Sequence, residues 1–170
     1  MQNIESVYAL SPMQQSMLVR MLQTSDQGEY TEQVSFTIRG GFDPDAFARA
    51  WQQVVDRNTI LRTAFFWEGL DQPLQAVRQQ AEVEVRTLDW REVPEGEREA
   101  RLAEFLREDR ERGFDPAVAP LTRVACIRLA DDTWRCVWSF HHLLLDGWSS
   151  SVTLREVFAL YEAACERRPA

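Results

Sequence analysis

A chain of 170 residues with 45% hydrophobic content, six Trp and nine Phe carries enough apolar surface for one folded domain or one lobe of a larger enzyme, and such a composition excludes an intrinsically disordered chain. Its formal charge of -8 argues against a nucleic-acid partner, which requires a basic surface that releases counterions. No apolar run reaches the length of a membrane span, and the opening MQNIESVYALSPMQQ lacks the basic-then-apolar profile of a signal peptide, so no membrane partner and a cytoplasmic location are expected.

From the start of the chain, Met13, Met17, Leu18 and Met21 recur at helical spacing behind Ser11-Pro12, which predicts a helix over 11–22 with Ser11 as its cap. Val34, Phe36 and Ile38 alternate with polar residues and predict a half-buried strand that ends at Gly40-Gly41. Asp43-Pro44 opens a second helix with the stripe Phe47, Trp51, Val54 and Val55, and Ile60 to Trp67 reads as a strand. Shorter strands are expected at Leu74 to Val77 and Val83 to Leu88. Between Glu95 and Arg112 the pattern gives a charged helix with the pairs Glu97–Arg101 and Glu108–Arg112 and an inward stripe of Leu102, Phe105 and Leu106. Leu121 to Leu129 and Thr133 to Phe140 form a hairpin about Asp131-Asp132. A last helix follows with Leu154, Val157, Phe158, Tyr161 and Cys165, stopped by Arg168-Pro169. This order predicts an α/β or α+β fold, a mixed sheet with helices packed on it. Cys126, Cys136 and Cys165 are an odd number without CxxC spacing and read as small buried apolar residues.

Both histidines of the chain stand together in SFHHLLLDGWSS, residues 139–150. Strand alternation puts His142 on the face of Trp134, Cys136, Trp138 and Phe140 and turns His141 to the other. A strand end beside a turn and a helix start is where a sheet presents reactive groups, and a neutral imidazole there can take a proton near pH 7. The competing reading of an isolated histidine is a satisfied core side chain. Arg62 interrupts the apolar face Ile60, Ala64, Phe66, and a buried guanidinium needs a carboxylate. Asp146 is a candidate partner that would brace the loop carrying His142; ahead of Gly147 it is equally a turn residue. Adjacent histidines on opposite faces, with no further ligands nearby, do not suggest a metal site. Gly147-Trp148-Ser149 is not a nucleophile elbow, Ser149 to Ser151 read as helix caps, and no glycine-rich phosphate loop is present.

Three stretches together carry a family resemblance. HHLLLDGWS at 141–149 resembles the HHxxxDG core motif of nonribosomal peptide synthetase condensation domains, SPMQQSMLVRML at 11–22 resembles their first core motif, and DRNTILRTAF at 56–65 their second. Asn58, Thr59 and the Met17-Leu18 pair depart from the usual forms and bear on subtype. The resemblance implies a chloramphenicol acetyltransferase-like fold, with residues 1–170 as an N-terminal lobe whose C-terminal lobe is absent. It implies catalytic roles within His141, His142, Asp146 and Gly147, with His142 as the active residue, Gly147 admitting the substrate to the backbone, and Asp146 ion-paired to Arg62. It further implies carrier-protein partners upstream and downstream, substrates borne on their phosphopantetheine arms, no cofactor or metal bound by the lobe itself, and little activity for the lobe alone. A heterocyclisation domain would show DxxxxD in place of the histidines, and an epimerisation domain a different run after Asp146-Gly147; SPMQQSML leans toward domains accepting a D-configured donor. A coenzyme A-dependent acyltransferase lobe and a non-catalytic carrier-docking module are the alternatives.

Overall fold

The computed structural model describes residues 3–23 and 28–166. In chain order the elements are β1 (Ile4–Ala9), α1 (Pro12–Gln23), β2 (Thr31–Arg39), α2 (Pro44–Arg57), a 3₁₀ turn (Thr59–Arg62), β3 (Thr63–Phe66), β4 (Leu74–Arg78), β5 (Glu84–Asp89), α3 (Glu95–Arg112), β6 (Thr122–Ala130), β7 (Thr133–His141) and α4 (Gly147–Glu166). The strands form two sheets, β2-β7-β6-β5 and β1-β4-β3. In the first, β5 runs parallel to β6 and the other neighbours are antiparallel, which makes the expected mixed sheet. The β5-α3-β6 segment supplies the helical crossover that a parallel pair needs.

The four-stranded sheet is covered on both faces. Along β7 the predicted alternation holds: Trp134, Cys136, Trp138 and Phe140 enter a core shared with Phe47, Trp51, Val54 and Val55 of α2 and Val157 and Tyr161 of α4. The four predicted α2 positions are all fully buried, each worth about 1.5–3 kcal/mol in apolar transfer. Asp43 caps α2 by accepting the amides of Asp45 and Ala46, and Ser11 with Gln14 forms a reciprocal capping box at α1. Met13, expected on the buried stripe of α1, is exposed; Met17, Leu18 and Met21 face the core.

On the opposite face α3 packs Leu102, Phe105 and Leu106 against Trp90, Ala125, Ile127 and Val137. Neither predicted charge pair along α3 forms. Arg112 reaches Glu84 at 2.7 Å, the Arg101 guanidinium lies over the Trp90 ring, and Arg107 pairs with Glu111. For Arg112 and Arg101, tertiary neighbours offered better partners than the helix surface did. A buried polar cluster pins the end of α3: Asp109 accepts from Arg123 at 2.6 Å, from the Ser139 hydroxyl and from the Gln33 amide, while Arg123 also donates to the Gly113 carbonyl and stacks on Phe114. These hydrogen bonds hold the Asp109 carboxyl below its ordinary range although burial pushes it up.

Two elements differ from expectation. Strand β1 has no counterpart among the predicted elements, because it leaves Val7 and Tyr8 exposed and so carries no buried-face alternation. Residues 60–67 are not one strand: Thr59–Arg62 coil as a 3₁₀ turn before β3 begins, so Arg62 stands on no strand face. Cys126 and Cys136 are buried directly opposite each other across β6 and β7, with sulfurs 3.8 Å apart. The expected stop of α4 at Arg168-Pro169 lies outside the described residues. Replacing Asp109 by Ala strands the buried Arg123 guanidinium and is expected to cost about 3 kcal/mol; the shift of the denaturant midpoint measures it, and an unchanged midpoint would contradict the role given to the cluster.

Candidate active site

β7 ends at His141, and the chain enters a turn over residues 142–144 before α4 begins at Gly147. Leu143, Leu144 and Leu145 are all buried, so the turn is an apolar plug whose backbone polar groups must find partners inside the protein. Most of its amides do. The His141 amide donates to Leu121 O, the His142 amide to Tyr30 O, and the Leu144 amide to His141 O. The Leu143 amide donates to His141 Nδ1 at 3.0 Å, and Gln14 of α1 donates to Leu143 O at 3.2 Å. An unanswered buried amide here would cost about 1–3 kcal/mol.

The two imidazoles have different environments, but not through strand alternation: β7 ends at His141, and His142, expected to continue the row of Trp134, Cys136, Trp138 and Phe140, lies in the turn. His141 is 1% exposed, stacked on Tyr30 and met edge-on by Phe114. Burial, with a smaller contribution from the charge of His142, lowers its pKa to about 4. It is neutral at pH 7, and because Nδ1 accepts from Leu143 its hydrogen sits on Nε2. His142 is half-buried, and its Nδ1 lies 2.8 Å from Leu145 O. A carbonyl only accepts, so Nδ1 carries the hydrogen and Nε2 keeps a lone pair. Among the described residues Nε2 has no hydrogen-bond partner, and it is not among the buried unpartnered atoms. The groove of about 460 Å³ lined by Trp90, Arg101 and Phe105 includes neither histidine.

Asp146 and Arg62, expected to pair, are not brought together. Asp146 is exposed and accepts the Ser149 amide at 2.7 Å, capping α4. That backbone hydrogen bond, then the Ser149 hydroxyl, holds its carboxyl below the ordinary range. Arg62 is buried, and its carboxylate partner is Glu5 of β1 at 2.8 Å; it also donates to Val55 O, Arg78 O and Gln79 O. The 3₁₀ turn aims Nη1 of the guanidinium at β1 and the end of β4, where Glu5, Arg78 O and Gln79 O accept from it, while Nε donates to Val55 O of α2. The serines expected to cap α4 instead lie within it, with Ser150 and Ser151 bonding back to Gly147 O. A Cβ on Gly147 would meet nothing, so packing within this chain does not require glycine there. Sequence reasoning missed Gln14, Tyr30, Phe114 and the Leu145 carbonyl. Gln14 was visible inside the first motif; the others act through backbone or ring packing and leave no pattern.

This fold matches known proteins. The chain superposes on the starter condensation domain of rhizomide synthetase RzmA with a TM-score of 0.85 at 24% identity, covering 98% of this chain and 41% of that one. It superposes on tallysomycin biosynthesis protein TlmII with a TM-score of 0.80 at 28% identity, covering 94% and 39%. The fold is therefore the chloramphenicol acetyltransferase-like one of condensation domains. A profile described as Condensation domain matches residues 4–170, and the chain belongs to that family. Its relatives include two components of the linear gramicidin synthase of Brevibacillus parabrevis, 46% identical over 164 residues and 47% over 165, and a component of the mycosubtilin synthase of Bacillus subtilis, 41% over 165. The alignments cover 96%, 97% and 97% of this chain, which spans only 2%, 3% and 6% of those synthetases. No helix among the described residues is long and apolar enough to cross a membrane.

The depressed His141 pKa predicts a pH dependence. Below pH 6.5 the unfolded chain binds a proton that the folded chain refuses until about pH 4, so stability is full above that window and falls through it by about 3 kcal/mol. Denaturant unfolding across the window measures the loss. The difference between the native chain and His141→Asn isolates this residue from titrating carboxylates, and a pH-independent difference would contradict the assignment.

Proposed function

We propose that residues 1–170 are the N-terminal lobe of a condensation domain that joins a donor acyl or peptidyl thioester to the amine of an acceptor aminoacyl thioester. Both substrates ride on the phosphopantetheine arms of carrier proteins placed upstream and downstream, and a C-terminal lobe outside this sequence completes the site. The chain's coverage of about two fifths of the superposed structures, a starter condensation domain among them, supports the single-lobe reading, and the synthetase relatives support carrier-borne substrates.

The observation that carries the chemistry is the orientation of His142. With Nδ1–H committed to Leu145 O, its free Nε2 is the group that takes a proton. The acceptor amine attacks the thioester carbonyl, a C–N bond forms, and a tetrahedral intermediate results. His142 Nε2 receives the amine's proton as nitrogen becomes positive. Collapse breaks the C–S bond, and the proton passes to the departing thiolate, leaving an amide and a free thiol. Because the thioester is already activated, a single well-placed base or hydrogen-bonding group suffices. Asp146 acts as a structural residue that fixes where α4 starts, His141 stands behind the turn, and Gly147 leaves the backbone bare where substrate approaches.

Within the complete domain, His142→Ala is expected to lower carrier-bound peptide formation about 10²–10⁴-fold with the fold intact by circular dichroism. Undiminished product would assign the chain to a docking role instead. The 170-residue chain alone is expected to form no carrier-tethered amide at a comparable rate.

A further inference from the structure

Resting on the reading of His142 as the reacting group, we infer that His141 is its positioning residue: by accepting the Leu143 amide it sets the turn that fixes which nitrogen of His142 carries the hydrogen. The connection is continuous. His141 Nδ1 accepts from Leu143 N at 3.0 Å, and His141 O accepts from Leu144 N. These two bonds, with the burial of Leu143 to Leu145, shape the turn so that Leu145 O comes within 2.8 Å of His142 Nδ1. The carbonyl imposes the Nδ1–H tautomer and leaves Nε2 as the base.

His141 can do this only if its own ring cannot rotate and stays neutral. Tyr30 stacks on it and Phe114 meets its edge. Phe114 in turn lies 4.1 Å beneath the Arg123 guanidinium, which Asp109 holds. Protonation of Nδ1 would set N–H against N–H at Leu143, and burial works against that protonation. Adjacent histidines thus divide the labour: one holds a backbone amide, and the other holds the reactive lone pair.

The test reads tautomers directly, by long-range ¹H–¹⁵N correlation of the imidazoles in the 170-residue chain at neutral pH, together with exchange of the Leu143 amide. The native chain is expected to show His142 as Nδ1–H and His141 as Nε2–H. His141→Asn places an amide oxygen near the Nδ1 position and is expected to keep the His142 tautomer. His141→Phe keeps the ring packing but removes the acceptor; it is expected to shift the His142 Nδ1 resonance toward the unprotonated range and to speed Leu143 exchange roughly tenfold, as loss of one hydrogen bond should. A native His142 in the Nε2–H form, or a Phe variant with the native tautomer, overturns the proposal. Should the Phe variant not fold, the Asn variant decides: a retained Nδ1–H supports positioning, and a switched tautomer overturns it. None of these readouts depends on catalysis, so they stand apart from the loss of activity expected of His142→Ala.

Discussion

Burying three consecutive leucines at the end of a strand obliges the turn they occupy to answer every backbone amide and carbonyl without water. That constraint shapes the region from His141 to Gly147. Tyr30, just ahead of β2, offers its carbonyl, Leu121, just ahead of β6, offers another, and α1 offers the Gln14 side chain. Leu145 O finds the His142 ring. The His142 ring is therefore oriented by the need to satisfy backbone groups in an apolar plug, and the ion pair expected from sequence plays no part in it.

The three sequence motifs meet through different physics. The first and third touch through Gln14, which caps α1 with its oxygen and holds Leu143 O with its nitrogen. The second supplies Arg62, whose contacts tie α2, β1 and β4 together. An arginine this deeply buried must be neutralised, and that much was legible from its place in an apolar run. Which acid neutralises it was not, because the partner sits on β1, a strand too exposed to announce itself by alternation. Asp146 was the only acid the third motif offered, and the N-terminal amides of α4 claim it.

Where burial has a period, the sequence was readable: the faces of α2 and β7 and the β6–β7 turn all follow from spacing, whereas His142 lies past the end of β7, where strand alternation no longer applies. Helix caps at Ser11 and Asp43 were equally legible, since capping uses few residue types. What stayed hidden depends on three-dimensional proximity. The Asp109–Arg123 cluster joins α3, β2, β6 and β7, and no local pattern links residues so far apart. The charged surface of α3 looked self-sufficient, yet Arg112 and Arg101 turn to Glu84 and Trp90. Exposed ion pairs along a helix are worth only tenths of a kcal/mol, too little to hold side chains that have tertiary alternatives.

At the centre of this account, one half-buried imidazole keeps a nitrogen without a hydrogen-bond partner while its neighbour is sealed. Brief treatment of the folded chain with diethyl pyrocarbonate near neutral pH, followed by peptide mass spectrometry, tests this most directly, because the reagent acylates an accessible imidazole lone pair. Carbethoxylation confined to His142 is the predicted result. A modified His141, or a His142 that remains inert until the chain unfolds, would contradict it.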